Sequence, residues 1–293
     1  MRIAELLHED RLDALPRGDD GSLLSARTAV YVLDQVVGYE YTAPIRAVRQ
    51  RLMIVPRPRH GDQTRVAHRL DVTADDAPAQ RVGQRVDEFG NDVVDIHADG
   101  VTSSLRFSLR ALVRRDRQRP PIHEWRSPVP TTTRLTEPDE AISAAAHDLG
   151  IVDATDLAEQ MCDFVHESFT YRHGDTSVRT TAAEAWAGRH GVCQDMAHVM
   201  IAMCASLGVP ARYVSGHLVG DGASHAWVEV YDADRRSVVS VDPTHARRTD
   251  LRYVVTAVGR DYGDVAPTSG TYVSRHGKGK LAVRKRIRLA DVV

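Results

Sequence analysis

The sequence predicts an α+β protein, in which an antiparallel β-sandwich precedes a core where one buried helix packs on an antiparallel sheet. Short β-branched or alternating segments separated by turn residues fill the region 26–117, a pattern typical of a sandwich. Downstream, residues 196–207 carry apolar side chains around much of a helix, and alternating segments follow at 224–231 and 237–242. A helix that is apolar over so much of its circumference is expected to be buried.

Six segments of the first region are predicted to be strands. They lie at 30–33, 39–41, 51–55, 68–72, 93–96 and 104–109. Ahead of them, residues 1–25 form an N-terminal extension with a short amphipathic piece at Ile3, Leu6 and Leu7. A linker rich in Pro, Arg and Thr is predicted at 118–136, and the second domain at 137–293.

Composition argues against several functional classes. The chain of 293 residues has 27% charged residues and a formal net charge of -2, so neither a nucleic acid nor a membrane is expected as a partner. No stretch approaches the roughly 18 apolar residues of a membrane span, and no signal-peptide pattern is present. The three cysteines, Cys162, Cys193 and Cys204, do not form a disulfide framework. A cytoplasmic location with free thiols is expected, and the oligomeric state stays open.

Cys193 is predicted to begin the buried helix, which Gly208 and Pro210 end. Unpaired backbone N–H groups and the positive end of the helix dipole favour a thiolate at such a position. A nucleophilic thiol needs that environment. Cys204 lies three turns further on, roughly 16 Å away, too far for a disulfide. Its apolar neighbours predict a core residue, as they do for Cys162, so Cys193 is the candidate nucleophile.

His225 and Asp242 are the candidate partners of that thiol. Their two segments flank a turn and are predicted to form a hairpin. If Tyr231 lies opposite Arg236, then His225 lies opposite Asp242, with Cβ atoms about 4.5–5.5 Å apart. The carboxylate would then fix the imidazole tautomer and leave the other ring nitrogen for the thiol. Each residue alone is more often structural than catalytic, but the three together, in the order Cys, His, Asp, favour catalysis.

Five segments resemble the core of bacterial transglutaminase-like proteins. They are GVCQDMAH at 191–198, GVPARYVSG at 208–216, SHAWVEVY at 224–231, VDPT at 241–244 and GRDYGDV at 259–265. The resemblance implies a papain-like, transglutaminase-like catalytic domain at 137–293, with the family's catalytic Cys, His and Asp at Cys193, His225 and Asp242. It also implies that the 26–117 region is the β-sandwich found ahead of this core in many bacterial members.

Two positions depart from the pattern of that family. Members often have Trp ahead of the strand that carries the Asp, where this chain has RSV at 236–238, and often Asn after Asp-Pro-Thr, where it has His245. Neither residue is expected to touch Cys193, His225 or Asp242. Both are expected to alter the wall of the cleft and therefore the choice of substrate.

Other motifs carry less weight. His190, Cys193 and His198 could suggest zinc, but Cys193 and His198 are five residues apart, on nearly opposite sides of a helix. No acidic loop has the spacing of a calcium site, and the Gly-rich segment 216–222 does not open a helix as a phosphate loop would. The basic run 278–288 alternates, which favours a solvated strand face over nucleic-acid binding. No metal or cofactor is expected.

The sequence therefore predicts a cysteine-dependent enzyme that acts on amide bonds of peptide or protein substrates through an acyl-thioester. A peptidase or amidase is favoured, because a cleft without special provision for an amine will usually admit water. A cross-linking acyltransferase that acts on protein glutamine is the alternative. A non-catalytic protein-binding module that keeps the fold is the third, less favoured hypothesis.

Overall fold

A computed structural model describes residues 15–16, 21–78, 81–118, 125, 130–150, 154–219, 224–276 and 278–292. The amphipathic piece predicted near the N-terminus and most of the 118–136 linker lie outside these ranges. Antiparallel sheets form the N-terminal region, and a core of helices on a sheet follows. The predicted fold class is confirmed.

The strands are β1 (Thr28–Tyr41), β2 (Ile45–Leu52), β3 (Arg59–His60), β4 (Gln63–Ala74), β5 (Ala77–Pro78), β6 (Arg81–Val86), β7 (Asp92–Val101), β8 (Ser104–Asp116), β9 (Thr170–Tyr171), β10 (His190–Gly191), β11 (Ala211–Leu218), β12 (Ser224–Asp232), β13 (Ser237–Asp242), β14 (Arg247–Arg248), β15 (Tyr253–Gly259), β16 (Thr268–Val273) and β17 (Gly279–Val292). The helices are α1 (Ser22–Ser25), α2 (Glu140–Asp148), α3 (Ala154–Ser168), α4 (Ala182–Gly188), α5 (Cys193–Ser206) and α6 (Tyr262–Val265).

Two antiparallel sheets face each other in the N-terminal region. One has the order β17-β1-β8-β4-β3, with β5 paired to β4, and the other has the order β16-β2-β7-β6. Tyr31 and Phe107 of the first sheet share one buried cluster with Ile45 and Ile96 of the second. Alternate side chains of both sheets thus close a common apolar core, which is the arrangement of a β-sandwich.

The predicted segments differ from the observed strands in two respects, and β6 was not predicted. Segments 30–33 and 39–41 belong to the single strand β1, because β8 pairs with it from Thr28 to Glu40. Segment 51–55 is a strand only as far as Leu52. Beyond that point Met53 packs into the core of the second domain, whereas Ile54 packs into the sandwich. The apolar run there indicated burial between two cores rather than strand pairing.

The last two strands pair with the N-terminal sheets, although the sequence assigned residues 137–293 to the second domain as one block. β17 pairs with β1, and β16 pairs with β2. Alternation in 279–292 identifies a strand, but the choice of partner is a long-range contact that no local pattern encodes. Ile287 and Leu289 are buried in the sandwich core, whereas Leu281 and Val283 are half exposed. The domain boundary near residue 137 stays a prediction.

The second domain is built around α5. Eleven of its fourteen residues are buried, among them Met196, Met200 and Met203. Helices α2, α3 and α4 contact α5, as do strands β11 and β12 of a sheet with the order β14-β13-β12-β11-β15. Gly208, with a φ of 73°, follows the helix in the left-handed conformation that the predicted C-cap requires. Among the described residues, no helix is both long and apolar enough to cross a membrane.

Two side-chain amides join the sandwich to the core. Strand β15 lies at an edge of the core sheet, where its outer backbone groups need partners. Gln63 donates to Val255 O at 2.8 Å and accepts from Val255 N at 2.8 Å. Asn91 donates to Val258 O at 2.8 Å and accepts from Val258 N at 2.9 Å. Each amide pairs with the edge as another strand would, which satisfies buried backbone groups and fixes the sandwich against the core.

A buried ionic contact lies in the same interface. His60 Nε2 donates to Glu229 Oε1 at 2.7 Å, and Arg212, the neighbour of Glu229 across the β11–β12 ladder, donates to Oε2 at 2.7 Å. The side chains of His60 and Glu229 are 4% and 2% exposed. Burial lowers the pKa of His60 to about 4, against the opposing effect of Glu229. His60 is therefore neutral at pH 7.

We predict that His60 makes the fold sensitive to acid. The unfolded chain takes up a proton near pH 6.5, whereas the folded chain keeps His60 neutral down to about pH 4, so stability is lost as the pH falls through this window. The variant His60→Gln keeps a donor for Glu229 and does not titrate. Between pH 7 and pH 5 the wild type should lose roughly 2 kcal/mol more free energy of unfolding than the variant in urea titrations. Equal losses would contradict the prediction.

Candidate active site

Cys193 is the first residue of α5, and Val192 occupies the N-cap. The prediction that this cysteine begins the buried helix is therefore confirmed. Val192 N donates to Asp195 Oδ2 at 2.8 Å, and the hydroxyl of Thr176 donates to the same oxygen at 2.7 Å. These bonds hold the first turn in place. The first backbone N–H groups of a helix have no partner within it, so this end of α5 favours negative charge.

Gly191 permits the close packing behind this turn. A Cβ atom at position 191 would lie 2.6 Å from Asp195 Oδ2 and 2.7 Å from Asp195 Cβ. Burial of Asp195, which is 1% exposed, raises its pKa even though the hydrogen bonds from Val192 and Thr176 lower it. The glycine two residues before Cys193 is thus required by the carboxyl group that folds back over it.

Cys204 and Cys162 are core residues, as predicted. They are 0% and 1% exposed, and burial raises the pKa of each thiol to about 12. The thiol of Cys204 donates to Met161 Sδ at 3.5 Å. Cys193 is only partly buried, so it is the one of the three thiols that a substrate in solution can reach.

The hairpin register differs from the predicted one by two residues. Tyr231 lies opposite Val238 rather than Arg236. The turn begins one residue later than expected because Asp232 Oδ1 accepts the backbone N–H of Arg235 at 2.9 Å, and Arg236 adopts a left-handed φ of 49°. A local side-chain bond of this kind sets the position of the turn.

His225 and Asp242 nevertheless meet. A shift of two residues keeps every side chain on its original face, so His225 is a diagonal neighbour of Asp242 instead of a directly opposite one. Diagonal pairs remain within reach of long side chains. His225 Nε2 donates to Asp242 Oδ2 at 2.7 Å, and the side chain of Cys193 lies close enough to His225 to raise the pKa of the imidazole. The structure therefore brings all three candidate residues together.

The carboxylate of Asp242 is completely buried and has four hydrogen-bond donors. His225 Nε2, His245 Nδ1 and Tyr253 Oη all donate to Oδ2 at 2.7 Å. The backbone N–H of Thr244 donates to Oδ1 at 2.9 Å. Although burial would raise the pKa of Asp242, the hydrogen bonds from His225, His245 and Tyr253 hold it below its usual range. Asp242 is therefore ionised.

The opposite shift holds for the histidine. Burial disfavours the charged imidazole, but the hydrogen bonds and charges of Asp242 and Cys193 outweigh this effect and place the pKa of His225 above its ordinary value. Because Nε2 donates to Asp242, Nδ1 is the ring nitrogen that remains available to exchange a proton with the Cys193 thiol. The arrangement can hold a thiolate beside an imidazolium, with the carboxylate behind it.

Three residues of this cluster escaped the sequence analysis. His245 was expected not to touch the candidate residues, and this expectation is wrong: its ring donates to Asp242 and lies 5.2 Å from the ring of His225. Tyr253, whose hydroxyl accepts from Arg247 Nε at 2.8 Å, comes from β15. The contact of His245 could have been predicted from its position three residues after Asp242, because a turn there brings its side chain back to the carboxylate. Nothing local marked Tyr253 or Arg247.

Trp227 and Gly216 pack against each other behind His225. The Trp227 ring lies 6.2 Å from the His225 ring. Gly216 lies opposite His225 on β11, and a Cβ there would come within 2.5 Å of the Trp227 ring and 2.2 Å of Val254 O. A side chain at position 216 would therefore displace the indole that supports the imidazole.

A cavity of 330 Å³ opens beside the first turn of α5. Its walls include Asp175, Ser177, Arg179, Glu184 and His190. The backbone of this loop is bonded to the helix, since Gln194 Nε2 donates to Ser177 O at 3.3 Å. The cavity therefore offers polar and charged groups of both signs, and neither Cys193, His225 nor Asp242 is among its lining residues.

The three residues that could suggest zinc in the sequence, His190, Cys193 and His198, do not form a common site. His190 bonds Gly188 O through Nδ1 at 2.6 Å. His198 is fully buried, and its Nε2 accepts the backbone N–H of Tyr262 at 3.1 Å. In the part of the chain that the structure describes, neither shares a group of metal-liganding atoms with Cys193.

Comparisons with known sequences agree with this geometry. Residues 143–243 match the transglutaminase-like superfamily, and residues 31–114 match the bacterial transglutaminase-like N-terminal region. An uncharacterised protein of Mycobacterium tuberculosis is 30% identical over 286 residues, which cover 85% of this chain and 89% of the relative. One from Mycobacterium leprae is 28% identical over 284 residues, which cover 86% and 96%.

The fold is also found in a solved structure. A candidate cysteine protease from Cytophaga hutchinsonii superposes with a TM-score of 0.69 at 21% identity, over 89% of this chain and 98% of that one. The likeness therefore extends through both the sandwich and the core. Together with the sequence matches, it shows that the chain belongs to the bacterial transglutaminase-like family.

Proposed function

We propose that this protein is a cysteine-dependent enzyme that acts on amide bonds of peptide or protein substrates, with Cys193, His225 and Asp242 as its catalytic triad. One observation carries the proposal: a partly exposed thiol at a helix N-terminus lies close enough to His225 to raise the pKa of that histidine, and a buried carboxylate accepts a hydrogen bond from the same histidine at 2.7 Å. Membership of the transglutaminase-like family supports the same assignment.

The reaction begins with proton transfer from the Cys193 thiol to His225 Nδ1. The thiolate then attacks the amide carbonyl carbon to form a tetrahedral intermediate, and the negative charge passes to the oxygen. His225 gives the proton to the leaving nitrogen as the C–N bond breaks, which releases an amine and leaves an acyl-thioester on Cys193. Asp242 keeps Nε2 protonated throughout, so that only Nδ1 exchanges protons.

The negative oxygen of the intermediate needs hydrogen-bond donors. The first backbone N–H groups of α5, next to Cys193, are the donors that the proposal assigns to it. Such groups are fixed before the substrate arrives, so they stabilise the developing charge without reorganising. The bonds from Val192 and Thr176 to Asp195 hold this turn in position.

The second half of the reaction decides the class of enzyme. If water attacks the acyl-thioester, with His225 as base, the products are a carboxylic acid and the free thiol. If a primary amine attacks, a new amide forms and the enzyme is a cross-linking acyltransferase. We favour water, because it is far more concentrated than any competing amine and needs no dedicated binding site. A non-catalytic binding module would not need the buried Asp242–His225 pair beside a reachable thiol.

The first test is the reactivity of the thiols. Iodoacetamide at neutral pH should label Cys193 well before Cys204 and Cys162, because burial raises the pKa of both core thiols to about 12 and a thiol reacts as its anion. Peptide mapping by mass spectrometry gives the three rates. The variant Cys204→Ala should label like the wild type, and Cys193→Ala should not label before denaturation. If Cys193 reacts no faster than Cys204, the enzyme proposal fails.

The second test separates the two acceptors. Wild type and Cys193→Ala are incubated with a peptide library, with and without an added primary amine, and the product masses are read. Hydrolysis gives cleaved or deamidated peptides, whereas acyl transfer gives peptides heavier by the amine. Hydrolysis is expected, and Cys193→Ala should give neither product. Neither product from the wild type would remove support for both enzymatic classes.

The third test concerns Asp242. Asp242→Ala leaves Nε2 of His225 without its acceptor, so kcat should fall by about 10²–10⁴-fold with little change in KM. The kcat of Asp242→Asn should fall as well, because an amide lacks the charge that stabilises the imidazolium and fixes its tautomer. Asp234→Asn removes an exposed carboxylate in the turn of the same hairpin and should match the wild type. Circular dichroism of each variant confirms folding. A loss for Asp242→Ala no larger than for Asp234→Asn would contradict its role.

A further inference from the structure

Three potential metal ligands converge at the candidate active site. His225 Nε2 and His245 Nδ1 each lie 2.7 Å from Asp242 Oδ2, and the three liganding atoms all lie within 4.8 Å of one another. The described residues contain one such group of three or more. It shares no residue with the trio that the sequence suggested, His190, Cys193 and His198.

The donor atoms fit zinc and not a hard cation. Two imidazole nitrogens and one carboxylate oxygen are a ligand set of zinc sites, with metal–ligand bonds of about 2.0–2.2 Å. Tetrahedral ligand atoms at those bond lengths lie roughly 3.3–3.6 Å apart. In the present cluster the nitrogen–oxygen contact is 2.7 Å, and all liganding atoms lie within 4.8 Å of one another, so the required spacing falls within this range. Calcium and magnesium prefer oxygen ligands.

Exposure makes the cluster accessible from one side. The side chains of His225 and Asp242 are 4% and 0% exposed, whereas that of His245 is 35% exposed. The buried pair is held by the sheet, so outward movement of the His245 ring is the change that would widen the cluster. A water molecule from the His245 side would supply the fourth ligand, as in sites that bind three protein groups.

We infer that His225, Asp242 and His245 form a Zn²⁺ site that inhibits the enzyme. The ion replaces the two ring N–H protons that now point at Asp242, and both protons leave to solvent or move to the other ring nitrogen. His225 then carries its remaining proton on Nδ1, so it has no lone pair to accept the proton of Cys193. Metal binding and proton acceptance are therefore mutually exclusive at His225. The inhibitory half of the inference depends on the proposed function, whereas the metal-binding half does not.

Binding is tested without reference to activity. Co²⁺, a spectroscopic substitute for Zn²⁺, is titrated into the full chain in a Cys193→Ser background, which removes thiolate as a ligand. One equivalent should give the intense visible absorption of tetrahedral Co²⁺, and Zn²⁺ but not Ca²⁺ should displace it. His245→Asn removes one ligand nitrogen yet keeps a hydrogen-bond donor, and should weaken binding at least about tenfold. His147→Asn, at an exposed histidine of α2, should bind like the background. Equal affinity in His245→Asn, or no Co²⁺ spectrum, would overturn the site.

Inhibition is tested by the alkylation rate of Cys193 in the otherwise unaltered protein. Zn²⁺ should slow iodoacetamide labelling of Cys193, and EDTA should restore the rate. The His245→Asn variant should require at least about ten times more Zn²⁺ for the same effect. Co²⁺ binding with no change in labelling would overturn the inhibitory role and leave the metal site. A Cys193 that is unreactive before metal is added would instead overturn the proposed function, while the Co²⁺ spectrum still reports on the site.

Discussion

The buried carboxylate of Asp242 is the interaction on which the geometry of the candidate site depends. A carboxylate with no exposed surface is costly unless hydrogen bonds replace its water. Its donors come from β12, from the loop after β13 and from the start of β15. The charge therefore fixes three neighbouring segments relative to one another. His225 takes its orientation from that bond, and Cys193 on the facing helix lies close enough to raise the pKa of its imidazole.

Strand β15 links this carboxylate to the N-terminal sandwich. Tyr253 begins the strand and donates to Asp242, while Gln63 and Asn91 of the sandwich bond its outer edge. The sandwich therefore replaces the strand that the core sheet lacks at this edge. Strands β16 and β17 return to the sandwich after β15, so the residues of the core lie, along the sequence, between two segments of the sandwich.

The same hydrogen bonds define what the site can do with a proton or a metal ion. Catalysis needs protons on the nitrogens that face Asp242, because only then is His225 Nδ1 free for the thiol. Coordination needs lone pairs on those nitrogens. His245 makes the second state accessible, since it is the exposed member of the cluster. His245 thus gives the carboxylate of Asp242 a second imidazole neighbour, which is what the proposed metal site requires.

The sequence by itself determined the fold class, the buried helix that begins at Cys193 and the pairing of His225 with Asp242 on one face of a hairpin. Those features rest on local periodicity and on turn residues close in the chain. The hairpin register was predicted two residues away from its true position, because Asp232 places the turn, yet period-two alternation kept both side chains on the correct face. Only the tertiary structure assigned β17 to the sandwich and brought Tyr253 and Arg247 to Asp242. Strand partners and the donors of a buried charge are long-range contacts, chosen by packing of the whole chain, and no spacing along the sequence specifies them.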